Sequence, residues 1–132
     1  MLHHISFGVS DIQKAATFYD AAFAPLGYVR VWADLNPGDH DQAIGYGPPG
    51  GGDKFAIKSR GSDARAPGSG FHLAFAAPSR DAVVCFHDAA LAHGGTDNGP
   101  PGLRLHYGPN YFAAFVIDPD GHRIEVVTKA AE

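Results

Sequence analysis

His4, His72 and Glu125 carry the side chains best suited to chemistry in this chain. Each sits in a short alternating apolar stretch: His4-Ile-Ser-Phe-Gly-Val, Phe71-His72-Leu-Ala-Phe-Ala and His122-Arg-Ile-Glu125-Val-Val. Two imidazoles and a carboxylate are a ligand set for a divalent metal ion. Taken singly, a histidine beside His3 at the N-terminus is ordinarily a surface group, and a strand glutamate is ordinarily solvated. Taken together, at matched strand phase, the three point to a metal site.

The elements that must position them come in two copies. At an offset of 68 residues, His4 maps onto His72, Phe7 onto Phe75, Phe18 onto Phe86 and Asp20 onto Asp88. Ala21, Ala22, Ala24 and Gly27 map likewise onto Ala89, Ala90, Ala92 and Gly95. Roughly two such identities are expected by chance over this window, so the chain reads as a duplicated module. Each copy opens on an alternating strand, at residues 3–9 and 71–77. A helix follows, started by Ser10 or Asp11 in one copy and Ser79 in the other, and stopped by Gly27 and by Gly94-Gly95. Three further strands are predicted per copy: about 28–33, 42–46 and 54–58, then about 103–107, 111–117 and 122–128. Asp118-Pro-Asp-Gly121 is the turn between the last two. The plan is βαβββ twice, with modules at about 1–58 and 71–132 and a linker at about 59–70.

Alternation sets the ligand face. His4 shares a face with Ser6 and Gly8, His72 with Ala74 and Ala76, and Glu125 with Arg123 and Val127. The bulkier face of each strand is expected to pack on its helix, leaving the three candidates on the opposite, small-residue side. His72 and Glu125 belong to one module. His4 must arrive across a module interface, from the same chain or from a second one.

Composition narrows the function classes. The chain has 132 residues, 45% hydrophobic and 18% charged, which suits one folded domain with a core. Its net charge is −4 with no basic stripe, which excludes nucleic acid and an anionic membrane surface as expected partners. No apolar run approaches the roughly 20 residues that span a bilayer. The single cysteine, Cys85, cannot form an intrachain disulfide and is expected to be a small buried residue. With no secretion signal at the N-terminus, the expected compartment is cytoplasmic.

These stretches resemble the vicinal oxygen chelate superfamily, which includes glyoxalase I, bleomycin-resistance proteins, fosfomycin-resistance enzymes and extradiol dioxygenases. The resemblance covers nearly the whole chain. It is carried by His4-Ile-Ser-Phe-Gly-Val-Ser-Asp, Phe18-Tyr19, Phe71-His72-Leu-Ala-Phe and, most specifically, Phe115-Val-Ile-Asp-Pro-Asp-Gly-His-Arg-Ile-Glu125. It implies an α+β fold of paired βαβββ modules forming a cupped, mostly antiparallel sheet with helices on the outer face. It also implies a homodimer and a divalent ion (Zn, Ni, Mn or Fe) at His4, His72 and Glu125. One position departs from the glyoxalase I pattern. Glu125 less the offset falls on Ile57, in Lys54-Phe-Ala-Ile-Lys58, where a fourth carboxylate ligand is missing. That counts against lactoylglutathione lyase itself.

The resulting expectation is a metal-dependent enzyme of lyase or isomerase type acting on a small oxygenated molecule. Glu125 is its main catalytic candidate, and His106 and Tyr107 are weaker acid–base candidates. Arg104, Asn110, Tyr111 and Arg123 are candidate substrate contacts; Arg123 would meet an anionic group or else form a surface ion pair. An extradiol-type dioxygenase is the enzymatic alternative. A metal-free binding protein is the other, with Trp32, Tyr46 and Phe55 lining a groove for a flat ligand.

Overall fold

The computed structural model describes all 132 residues and builds each half on the same plan. Strand β1 (Ile5–Val9) leads to helix α1 (Ile12–Phe23), then β2 (Val29–Asp34), β3 (Ala43–Gly47) and β4 (Phe55–Ser59). The second half runs β5 (Leu73–Ala76), α2 (Arg80–Ala92), β6 (Thr96–Leu103), β7 (Phe112–Ile117) and β8 (Arg123–Thr128). Two four-stranded mixed sheets result, ordered β1-β4-β3-β2 and β5-β8-β7-β6. In each, the first and last strands of the half pair in parallel and the other pairs are antiparallel. No helix is long and apolar enough to cross a membrane.

Local chemistry explains the helix limits. Asp11 accepts hydrogen bonds from the backbone N–H groups of Gln13 and Lys14, at 3.0 and 3.1 Å, and Ser79 accepts one from Ala82 at 3.1 Å. These caps satisfy donors that have no partner within the helix. After α1 the chain makes one 3₁₀ turn over Ala24–Leu26 and breaks at Gly27, whose φ of 82° is left-handed.

One core serves both halves. Phe7, Phe18, Tyr19, Phe23, Phe55, Val83, Phe86 and Ile124 are all buried in a single cluster between the helices and the sheets. Burying each Phe in it contributes about 1.5–3 kcal/mol. Phe75 of the second half reaches Phe23 and Phe55 of the first, at centroid separations of 5.0 and 5.5 Å.

The β7–β8 turn fastens the halves together. Tyr19 donates its hydroxyl to Asp118 at 2.6 Å, and Asp118 also accepts from the backbone of His122 and Asp120. The His122 ring stacks on Phe7 at 4.1 Å and donates through Nε2 to the Gly8 carbonyl. Asp120 accepts from the backbone N–H of Ser10. The turn just before Glu125 is therefore bonded to the strand just after His4.

Three sequence expectations change. The strand predicted at 103–107 lies earlier, as β6, and residues 105–107 form a 3₁₀ turn. Gly99-Pro-Pro-Gly102 reads as loop, yet an edge strand with irregular register tolerates it. The second is the module equivalence. Ser6 pairs with Ala56 and Ala74 with Glu125, so Ala56, not Ile57, occupies the position of Glu125. The third is Cys85, which is exposed on α2 rather than buried.

Burial holds the Asp118 carboxyl above its ordinary value of 3.8, against the opposing pull of its hydrogen bonds. A raised folded-state value favours folding at low pH, and that contribution is lost as pH rises through it. Asp118→Asn should therefore gain stability relative to the native chain as pH rises upward from 3.8. Urea unfolding across that window checks this; a constant difference at every pH would contradict it.

Candidate functional site

Parallel pairing of β5 with β8 places His72 and Glu125 on the same sheet face. His72 Nε2 lies 2.8 Å from Glu125 Oε1, with the imidazole half exposed and the glutamate side chain 4% exposed. Tyr111, on the same face of the adjoining chain segment, donates its hydroxyl to Oε2 of Glu125. Both carboxylate oxygens are therefore engaged, as a buried charge requires. Burial first, then the hydrogen bond and charge of Glu125, push the Tyr111 phenol up to about 12, so it remains a donor through the neutral range.

The surrounding face is built from strand alternation. Ala74 flanks Glu125 on one side and Phe115 flanks it on the other. Glu125 and Asp97 are the only acids in the four strands of this sheet. Asp97 turns to the helix side, where it bonds His87 Nε2 at 2.9 Å. The Asp97 carboxylate is lowered by the Gly99 backbone N–H and by His87. Glu125 is thus the one carboxylate in the strands of this sheet that faces away from the helices.

Other sequence candidates scatter. Tyr107 packs at a tilt against Tyr111, at 5.1 Å, and against His106, at 4.0 Å, forming an aromatic run over the 3₁₀ turn. His106 and Tyr107 form no hydrogen bond to Glu125. Asn110, Tyr107, Tyr111 and Lys129 border a cavity of about 300 Å³. Arg104 folds back on its own strand, donating to the Gly102 and Pro100 carbonyls at 2.9 and 2.7 Å, and lies over the Phe115 ring. Arg123 is exposed and makes no ion pair. Asn98, which carried no sequence signal, and Phe71 line a second cavity with His72, Phe115 and Arg123.

In the first half, Tyr46 and Phe55 do not line a groove on the open face. They are 1% and 2% exposed and belong to the core, because their strand parity turns them toward α1. Tyr46 bonds Asp20, which also holds Arg30. Trp32 does lie on the open face. Its indole covers Gly45, where a Cβ would come within 2.2 Å of Nε1. The register makes Trp32–Gly45 the counterpart of Gly99–Phe115: the same aromatic-over-glycine pair, with its members exchanged between strands.

His72 and Glu125 suit a divalent ion in donor type, and their nearest atoms are close enough to share one. They supply two of three expected positions. His4 is exposed at the N-terminus, with Nδ1 2.8 Å from that of His3, and within one chain no three His, Cys, Asp or Glu side chains converge as a metal site. The pair fits such an ion; completing the set requires a donor from elsewhere.

A family model described as the Glyoxalase/Bleomycin resistance protein/Dioxygenase superfamily matches residues 1–126. A solved glyoxalase/bleomycin resistance protein from Albidiferax ferrireducens T118 is 33% identical, with a TM-score of 0.76 over 96% of this chain and 97% of that one. A glyoxalase-related enzyme from Fulvimarina pelagi is 24% identical, with a TM-score of 0.69 over 96% and 87% of the two chains. A glyoxalase I mutant from Zea mays is 20% identical, with a TM-score of 0.72 over 96% of this chain and 46% of that one. The last two show a shared fold. No curated protein matches the chain.

Trp32 is the only tryptophan, so its environment can be read directly. Gly45→Ala should displace the indole into solvent and shift its emission to longer wavelength. Unchanged emission from a folded variant would refute the packing described.

Proposed function

Since the chain belongs to the glyoxalase/bleomycin resistance protein/dioxygenase superfamily, we propose that it is a divalent-metal-dependent enzyme of lyase or isomerase type. It acts on a small oxygenated molecule and works as a homodimer in which His4 of a second copy completes the set begun by His72 and Glu125. The observation that carries this reading is the buried Glu125 carboxylate, held between the His72 imidazole and the Tyr111 phenol on an open sheet face.

A divalent ion bound there would supply Lewis-acid polarisation of a substrate oxygen. The chain's own residues do the rest. Tyr111 holds Oε2 of Glu125, so Oε1, once released from its hydrogen bond with His72, is the atom that would take a proton from substrate. The His72 ring and the Phe115 ring, 6.2 Å apart, flank the position. Ala74 and Ala76 leave the floor low enough for a substrate to approach. Ala56 at the equivalent position of the first half supports chemistry other than that of a four-ligand glyoxalase I.

A second reading, metal-free sequestration of a flat ligand, is favoured by one observation. Trp32 is 39% exposed and backed only by a glycine, which leaves an open indole surface for stacking. An extradiol-type dioxygenase would use the same His72–Glu125 pair with ferrous iron.

Metal analysis separates these. Native protein purified without chelator should hold about one ion per chain, and His72→Ala or Glu125→Gln should weaken binding by about 100-fold or more, as expected for lost ligands. Native protein that takes up no added Zn, Ni, Mn or Fe would sink the enzyme reading. Quenching of Trp32 by a flat aromatic ligand in that same metal-free protein would then favour sequestration.

A further inference from the structure

A cavity of about 230 Å³ opens beside His72, walled by Phe71, Asn98, Phe115 and Arg123. No carboxylate lines it, although the chain as a whole is acidic at −4. The acids nearest in sequence are all committed elsewhere. Asp97, adjacent to Asn98, faces α2 and bonds His87. Glu125, two residues beyond Arg123 on the same face, has both oxygens occupied by His72 and Tyr111.

Two guanidinium groups therefore stand near this cavity without a counter-ion. Arg123 borders it directly and makes no ion pair. Arg104 lies over the Phe115 ring, its Cζ 5.4 Å from the centroid, and also makes no ion pair. The bulged edge of β6 makes room for Arg104. A Cβ at either Gly99 or Gly102 would come within 3.3 Å of its guanidinium nitrogens. Irregular register at Gly99 and Gly102 thus places a fixed positive charge against one ring of the wall.

We propose that this cavity is an anion subsite which takes the carboxylate of a small organic acid with a flat, apolar body. The Arg123 fork matches a carboxylate in two parallel bonds, and the Asn98 amide adds a donor. The Phe115 and Phe71 rings provide apolar surface for the body of the molecule. The volume admits only a small acid, being below the usual range for drug-sized ligands. Anchored this way, the body of the molecule lies beside His72, which bonds Glu125. Calling that occupant the substrate rests on the reading of His72 and Glu125 as the reacting centre; the anion subsite itself does not.

Benzoate and its neutral counterpart benzamide are the probes, titrated by calorimetry into chelator-treated, full-length protein so that no ion contributes. Benzoate should bind about tenfold or more tighter than benzamide, as charge-assisted hydrogen bonds require. Arg123→Gln should abolish that preference, and Asn98→Ala should reduce it, while both variants keep the native circular dichroism and the native metal uptake. Equal or absent binding of the two probes to the native chain overturns the proposal. So does benzoate preference that survives in both folded variants. Failure of the metal reading is seen separately, as absent metal uptake with the benzoate preference intact.

Discussion

A carboxylate taken out of water must be bonded at both oxygens or it destabilises the fold, and Glu125 satisfies that condition on the face of a sheet rather than inside the core. Much of the second half is arranged to allow this. The parallel β5–β8 register puts a small residue, Ala74, beside it. The β6–β7 connection returns Tyr111 to the same face. The tight turn at Asp118–His122 starts β8 at the phase that points Glu125 outward and Ile124 and Val126 into the core. If β8 slipped by one residue, the carboxylate would enter the apolar layer and two apolar side chains would leave it.

That turn also connects the site to the other half. His122 reaches the Gly8 carbonyl, Asp118 the Tyr19 hydroxyl and Asp120 the Ser10 backbone. The strand that follows His4 and the strand carrying Glu125 are thus held in fixed relation, although the two side chains do not meet in one chain. The fixed relation matters for assembly. A second copy that presents His4 to His72 and Glu125 would present its own pair to the first copy's His4, as a twofold arrangement requires.

Much of this was legible in the residues. Alternation assigned the faces of β1, β5 and β8. The helix caps at Asp11 and Ser79, the stop at Gly27 and the Asp-Pro-Asp-Gly turn each have a local chemical cause, so they read from sequence alone. The superfamily resemblance rests on the same stretches. What could not be read has physical reasons too. Strand β6 is an edge strand, so its Pro and Gly residues are tolerated where propensity argues for a loop. The offset between halves grows by one residue before the last strand, which exchanges Ile57 for Ala56 at the position of Glu125. Tyr46 and Phe55 carry the same residue types as groove-lining aromatics, and only the pairing partner tells which face they occupy. The Arg104–Phe115 stack depends on a bulge that no sequence period signals.

In the proposed assembly one chain supplies His72 and Glu125 while a second supplies His4. Mixed dimers test it most directly. His4→Ala and His72→Ala chains, each carrying a different tag, would be co-expressed and the mixed dimer isolated. Each variant alone should lose metal, and the mixed dimer, with one intact site, should recover about one ion per two chains. Full metal uptake by the His4→Ala protein alone, or a mixed dimer no better than its parents, would contradict a His4 supplied by the second chain.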